Sequence, residues 1–276
     1  MRVLITGYKG FIGNVLYNKL KELNYEVIGI DLKDGEDIIN CLPKNQTIDY
    51  VFHLAALPRV EYSVLNPSYT FKHNVYATSV LLEWCKNNNI KRFIFSSSSA
   101  IYGDGNGPKT PYALHKYFSE KECLLYSELY GLDTVCLRYF NVYSENQPFG
   151  GSYSTAISAW MEMIKINKSL RLDGDGEQTR DFIHVNDVID ANIFCMLYDK
   201  PFNGKFFDVG TGNSISLNDI KNIIDKYNKV EWCYNKERIG DVKHTKANIK
   251  ELLDLGWSPN ISIQDGITTC FNKRSN

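Results

Sequence analysis

The chain has 276 residues, 43% of them hydrophobic and 13% aromatic, with 31 basic against 32 acidic side chains and a net charge of −1. That is an ordinary globular composition, and it excludes disorder and fibrous repeats. No block of Lys and Arg is longer than two residues, so the electrostatic footprint of a nucleic-acid partner is missing and a small-molecule partner is expected.

Residues 1–7 run straight into a β-rich stretch, 3–6, without a charged and apolar leader, and nowhere do 18 apolar residues follow one another. No membrane segment is expected, and the protein is read as cytoplasmic. After a glycine-rich turn the pattern predicts a helix over 11–23, strands over 27–30 and 50–54, a helix over 67–86, a strand over 93–96, a helix over 111–130 opened by Pro111, and a strand over 134–139. Strands alternating with helices predict an α/β fold, a doubly wound parallel sheet. Beyond Tyr143 come a Gly/Ser-rich loop at 149–154, a helix over 156–166, a dense turn at 173–176 and helices of about ten residues. This is expected to be a smaller C-terminal α/β portion, although 206–210 reads as a buried strand that could return to the first sheet. Seven cysteines, odd in number and never at CxxC spacing, are expected to be reduced and to hold no metal.

The first turn carries chemistry. Gly7-Tyr-Lys-Gly10-Phe-Ile-Gly13 follows a strand and opens an amphipathic helix, the setting in which a dinucleotide pyrophosphate meets helix N-terminal N–H groups, here those near Phe11 and Ile12. A tight turn without ligand is the alternative. Asp31, at the end of the second strand, can accept hydrogen bonds from ribose hydroxyls and repels a 2′-phosphate, which favours NAD over NADP. Residues 1–143, rejoined by part of 183–212, are therefore expected to form an NAD-binding Rossmann domain, with 144–276 as the substrate domain.

The GxxGxxG spacing resembles the extended short-chain dehydrogenase/reductase family. One departure is that only about twenty residues separate Asp31 from the third strand, too few for the extra helix and strand of longer members. Asp37-Ile38 is similar to the family's adenine-contacting pair, with a plain helix N-cap or surface turn as the competing reading, and His53-Leu54-Ala55-Ala56 is similar to its segment after the third strand, with His53 itself read as structural. Asn74 and Ser96 join the implied cofactor contacts. The family's YxxxK pair occurs three times, at Tyr17/Lys21, Tyr112/Lys116 and Tyr117/Lys121. Only Tyr112, at the start of a helix after the fourth strand and its loop, can hang over the sheet edge where α/β folds bind ligands. There the Lys116 ammonium, one turn on, favours the phenolate and can reach cofactor ribose. Phe95-Ser-Ser-Ser-Ser-Ala-Ile-Tyr-Gly103 is similar to the family segment that supplies a catalytic serine, which falls on Ser98. A serine cluster that merely satisfies a turn is the competing reading.

Residues 137–143 (LRYFNVY), 174–187 (GDGEQTRDFIHVND) and 238–241 (RIGD) resemble the NAD-dependent epimerase/dehydratase branch, which acts on nucleotide-diphosphate sugars. The resemblance implies that Tyr139 flanks the nicotinamide, Asn141 contacts substrate with Ser98 and Ser99, Arg180 and Arg238 hold the diphosphate, and Asp241 lies near the nucleoside. Independently, a diphosphate calls for guanidinium forks in a chain with only eight arginines, while surface salt bridges would use the same side chains. Ile239 stands where the family has proline, Asp208 where relatives often have Asn, and Ser144-Glu145 where many have Gly-Pro. Ser99 and Ala100 stand where family dehydratases, decarboxylases and 3,5-epimerases carry acids or a thiol. With only Tyr, Lys, Ser and NAD left, the implied reaction is 4-epimerisation of a UDP-hexose-like substrate through a 4-keto sugar. Alternatives are a dehydrogenase or dehydratase of a related substrate, or a non-catalytic NAD-binding scaffold. The resemblance also implies a homodimer formed by the helices at 67–86 and 111–130.

Overall fold

The computed structural model describes residues 1–147, 155–236 and 242–272. It divides into two compact units, one made of Met1–Tyr139 and Ile189–Phe207, the other of Phe140–Val188 and Asp208–Asn276. In chain order the elements of the first stretch are β1 (Arg2–Thr6), α1 (Phe11–Glu22), β2 (Glu26–Ile30), β3 (Tyr50–His53), α2 (Val60–Leu65), α3 (Pro67–Phe71), α4 (Ala77–Asn87), β4 (Arg92–Ser98), α5 (Pro111–Tyr130) and β5 (Thr134–Tyr139). After them come β6 (Asn141–Tyr143), α6 (Ala156–Lys165), β7 (Leu170–Asp173), β8 (Thr179–Arg180), β9 (Phe182–His184), α7 (Val185–Leu197), β10 (Lys205–Val209), β11 (Ile215–Ser216), α8 (Leu217–Tyr227), β12 (Trp232–Asn235), α9 (Lys250–Leu255) and α10 (Ile263–Asn272).

The expected parallel sheet is present, with six strands in the order β10-β5-β4-β3-β1-β2 and parallel pairing from β2 through β5. β10 covers 206–209 of the expected 206–210 run and occupies the edge beside β5. The order reverses between β1 and β3, and in open α/β sheets ligands bind at the carboxyl ends of strands at such a switch point. The short stretch between β2 and β3 holds only a 3₁₀ turn, so β3 pairs directly with β1.

Local sequence explains the elements that bear on the site. β4 and β5 read FIFSS and TVCLRY, with nearly every residue buried, as strands covered on both faces require. α5 starts where Thr110 accepts a hydrogen bond from the Ala113 N–H at 3.3 Å, carries Pro111 in its first turn, and stops at Gly131, whose φ of +69° suits a left-handed cap. The helix expected over 67–86 is not continuous: a single π turn, Lys72–Tyr76, separates α3 from α4. The core of the first unit is built from Leu4, Val51, Leu81, Leu82, Phe93, Phe95 and Cys136. The second unit has its own core around Tyr143, Trp160, Leu170, Phe182, Ile220 and Phe271.

Candidate active site

At the switch point β1 runs into Gly7, whose φ is +74°, and a Cβ added there would stand 2.7 Å from the backbone nitrogen of Ala55. No other residue fits that turn. Gly13 packs its bare Cα against the Gly7 carbonyl, so α1 begins directly over the end of β1. α1 has no side-chain cap and no acid in its first turn, which leaves the positive end of the helix to an anion. Asp31 is buried at the end of β2, where its two oxygens accept the backbone N–H groups of Lys9 and Lys33, each at 2.9 Å. The Lys9 ammonium is paired with Asp34, and the Lys33 ammonium donates to the Lys9 carbonyl at 2.9 Å.

Asp37 accepts the Ile39 N–H at 3.1 Å in its own turn, and Ile38 points into the core beside Ile30 and Val51, so its backbone is what it can offer a ligand. The 54–57 segment is pinned from two sides. Leu54 N–H donates to the Thr6 carbonyl at 3.1 Å. The Asn74 side chain, carried by the π turn, accepts the Leu57 N–H at 2.7 Å and donates to the Leu57 carbonyl at 3.1 Å. His53 lies between the Thr6 and Thr78 hydroxyls at 2.7 and 2.8 Å, and burial, then the Lys116 charge, pushes its pKa down to about 3. It is a neutral structural imidazole.

The three Tyr/Lys pairs differ in burial. Lys21 and Lys121 are exposed and lie against their own tyrosine rings at 5.1 Å. Tyr112 and Lys116 are 8% and 4% exposed. The Lys116 ammonium donates to the Ser96 carbonyl at 2.6 Å and sits 4.7 Å from the Phe95 ring centroid, which fixes α5 over β4. Burial pushes its pKa down to about 8, opposed by the carboxylate of Glu120. Tyr112 N–H donates to the buried Ser63 hydroxyl at 3.1 Å. Ser98 ends β4 and opens the 3₁₀ turn Ser99–Tyr102, its hydroxyl accepting the Ala100 N–H at 3.2 Å. Tyr139, on neighbouring β5, shares a hydrogen bond with the Ser96 hydroxyl at 3.0 Å and is gripped by the Asn192 amide. Burial raises its pKa to about 12, so this phenol keeps its proton.

In the second unit Arg180 donates through Nη1 to the carbonyls of Thr179 and Lys243, at 2.9 and 3.1 Å. The adjoining Asp181 carboxylate is fully buried and accepts from Thr211 N and Oγ1 at 2.8 Å each, Gly212 N at 2.9 Å and Ala247 N at 3.1 Å. Asn141 donates its amide to the Asp181 carbonyl at 2.9 Å. Arg238, Asp241 and the 149–154 loop lie outside the described residues. Sequence reasoning missed Asn192, Ser63, Glu120 and Arg138. Of these only Glu120, one helical turn beyond Lys116, had a spacing that could have flagged it.

A sequence-family model, described as the NAD dependent epimerase/dehydratase family, matches residues 3–210. The chain belongs to the NAD-dependent epimerase/dehydratase family. A UDP-glucuronate 4-epimerase of Thermodesulfobacterium geofontis is 30% identical over 312 aligned positions, covering 98% of this chain and 94% of that protein. Among solved structures, a UDP-N-acetylglucosamine 4-epimerase from Methanobrevibacter ruminantium is 33% identical at a TM-score of 0.87, covering 99% and 97% of the two chains. A UDP-glucuronic acid 4-epimerase from Bacillus cereus, solved with UDP-glucuronic acid and NAD, is 30% identical at a TM-score of 0.88, covering 99% and 98%.

Proposed function

We propose that this chain is an NAD-dependent 4-epimerase of a UDP-linked hexose, with the first unit binding NAD and the second contributing substrate contacts. The observation that carries the reading is the buried Tyr112/Lys116 pair over β4, with Ser98 at the end of that strand and no acid or thiol at Ser99 or Ala100. The residues present fit NAD: a cradle at Gly7 that any Cβ would fill, an uncapped α1 N-terminus, and Asp31 beyond β2. Gly10, Phe11, Ile12, Gly13, Asp37, Ile38, 54–56, Asn74, Ser96, Lys116 and Tyr139 complete the proposed contacts. When bound, NAD supplies the reversible acceptor for the hydrogen on the sugar's C4.

Tyr112 takes the proton of the 4-hydroxyl and returns it after the 4-keto sugar has turned over, while Ser98 hydrogen-bonds the same oxygen. A free phenol has a pKa near ~10, and the Lys116 charge lowers the cost of holding Tyr112 as phenolate. Asn141, Arg180 and Arg238 are proposed to grip the sugar and diphosphate, with Asp241 near the nucleoside. The seven thiols, five of them buried, suit the reducing cytoplasm. No helix among the described residues is long and apolar enough to cross a membrane.

A homodimer is proposed from the apolar face of α5. Leu114, Phe118, Leu125 and Leu129 form one exposed stripe, and Tyr69, Phe71 and Tyr76 are exposed on the neighbouring helical segment. The test is to incubate the purified protein with UDP-galactose, UDP-galacturonate and UDP-N-acetylgalactosamine in turn. Formation of the gluco epimer without accumulating NADH is expected, and Tyr112→Phe should lower turnover by about a thousandfold. NADH accumulating with an oxidised product would overturn the reading in favour of a dehydrogenase.

A further inference from the structure

The three groups proposed to do chemistry ride on two elements, Ser98 at the end of β4 and Tyr112 and Lys116 on α5. Besides Lys116 itself, a second buried cation joins those elements. Arg138, on β5, donates from Nε and Nη2 to the two oxygens of Glu120, at 2.8 and 2.6 Å, and from Nη1 to the Tyr102 hydroxyl at 2.7 Å. Glu120 stands one turn beyond Lys116 on α5. Tyr102 closes the 3₁₀ turn that Ser98 opens, and its carbonyl then receives the N–H groups of Gly105 and Gly107 in the glycine-rich loop that follows. The guanidinium carbon also lies 3.5 Å from the Phe206 ring centroid and 4.9 Å from that of Tyr102.

The side chains of Arg138 and Glu120 are only 8% and 5% exposed. Desolvation offsets much of the attraction in such a pair, so stability alone is a weak reason for burying it. What a planar fork does supply is geometry, because two parallel bonds to one carboxylate and a third to a phenol admit only one arrangement of the three side chains. Ser98 needs that help: within its own turn the hydroxyl is held by one bond of 3.2 Å, and the turn's far end is anchored through Tyr102.

We propose that Arg138, Glu120 and Tyr102 are positioning residues for the epimerisation, setting the Ser98 turn against the Tyr112/Lys116 face of α5. The inference rests on the proposed roles of Ser98, Tyr112 and Lys116.

Arg138 variants risk misfolding by stranding a buried carboxylate, so the test uses Tyr102→Phe, which keeps the ring and deletes one hydroxyl. With the UDP-sugar that the wild-type holoenzyme converts, kcat should fall roughly tenfold, while KM and bound NAD stay within about twofold. Combined with Ser98→Ala, the same change should cost less than about twofold more, because the hydroxyl it positions is already gone. Unchanged kcat in Tyr102→Phe, or a full additive loss in the double variant, would overturn the proposal. Full activity in Ser98→Ala or Tyr112→Phe alone would instead overturn the underlying assignment of roles, whatever Tyr102→Phe does.

Discussion

Lys116 shows at the scale of one residue what burying a charge costs. Its ammonium is buried under α5, and burial lowers its pKa to about 8, below the ~10.4 of an exposed lysine. For a base with a depressed folded-state pKa, the penalty on the charged form is fully present below pH 8 and fades as pH climbs from about 8 to about 10.5. Lys116→Met should therefore stabilise the cofactor-free protein at pH 7 by about 1–3 kcal/mol while sharply lowering turnover. Urea unfolding at pH 7 and pH 10 reads the difference directly: the advantage of the variant should shrink at the higher pH, and a gap that does not change with pH would refute the account. His53 illustrates the opposite use of burial. Held neutral between two threonine hydroxyls, it fastens β3 to β1 and α4, and takes no part in proton transfer near neutral pH.

Among the elements, the π turn Lys72–Tyr76 has the clearest consequence. A π turn is a widened single turn that recurs at functional positions, and this one carries Asn74, whose amide makes both bonds to Leu57. Asn74→Ala strands a half-buried N–H and carbonyl of Leu57, in the segment whose start meets Gly7. The 54–57 loop should loosen and NAD affinity should drop about tenfold, equivalent to roughly 1.4 kcal/mol. NAD titration checks this against KM for the UDP-sugar, which should move less than about twofold on the same scale. A pattern of helical periodicity over 67–86 cannot reveal this device, since one extra residue in one turn barely disturbs the spacing of the apolar positions on either side.

For the whole molecule, the exposed apolar stripe Leu114, Phe118, Leu125 and Leu129 is a liability if the chain stays alone. Leu125→Glu with Leu129→Glu should convert a dimer to a monomer in analytical ultracentrifugation and lower the melting temperature; a wild-type protein that sediments as a monomer would remove the dimer from the proposal. Alternating β-rich and helical stretches were enough to read the parallel sheet from sequence, because strands buried on both faces tend to be continuously apolar and most of the crossovers between them are helical. The glycine spacing at 7, 10 and 13 was legible for a similar reason: the left-handed φ of Gly7 and the close approach at Gly13 leave no room for a side chain, and the contact at Gly10 is tight. Three Tyr/Lys pairs, however, are equivalent in spacing; position after the fourth strand favoured Tyr112/Lys116 in the sequence, but periodicity says nothing about which lysine is desolvated. Only folding, by laying α5 across β4, buries Lys116 and leaves Lys21 and Lys121 in water. The same holds for Arg138, Glu120 and Tyr102, which are eighteen to thirty-six positions apart in pairs and meet because β5 lies beside β4. Short-range pattern determined which elements form, and the three-dimensional packing alone decided which ionisable groups lose their water.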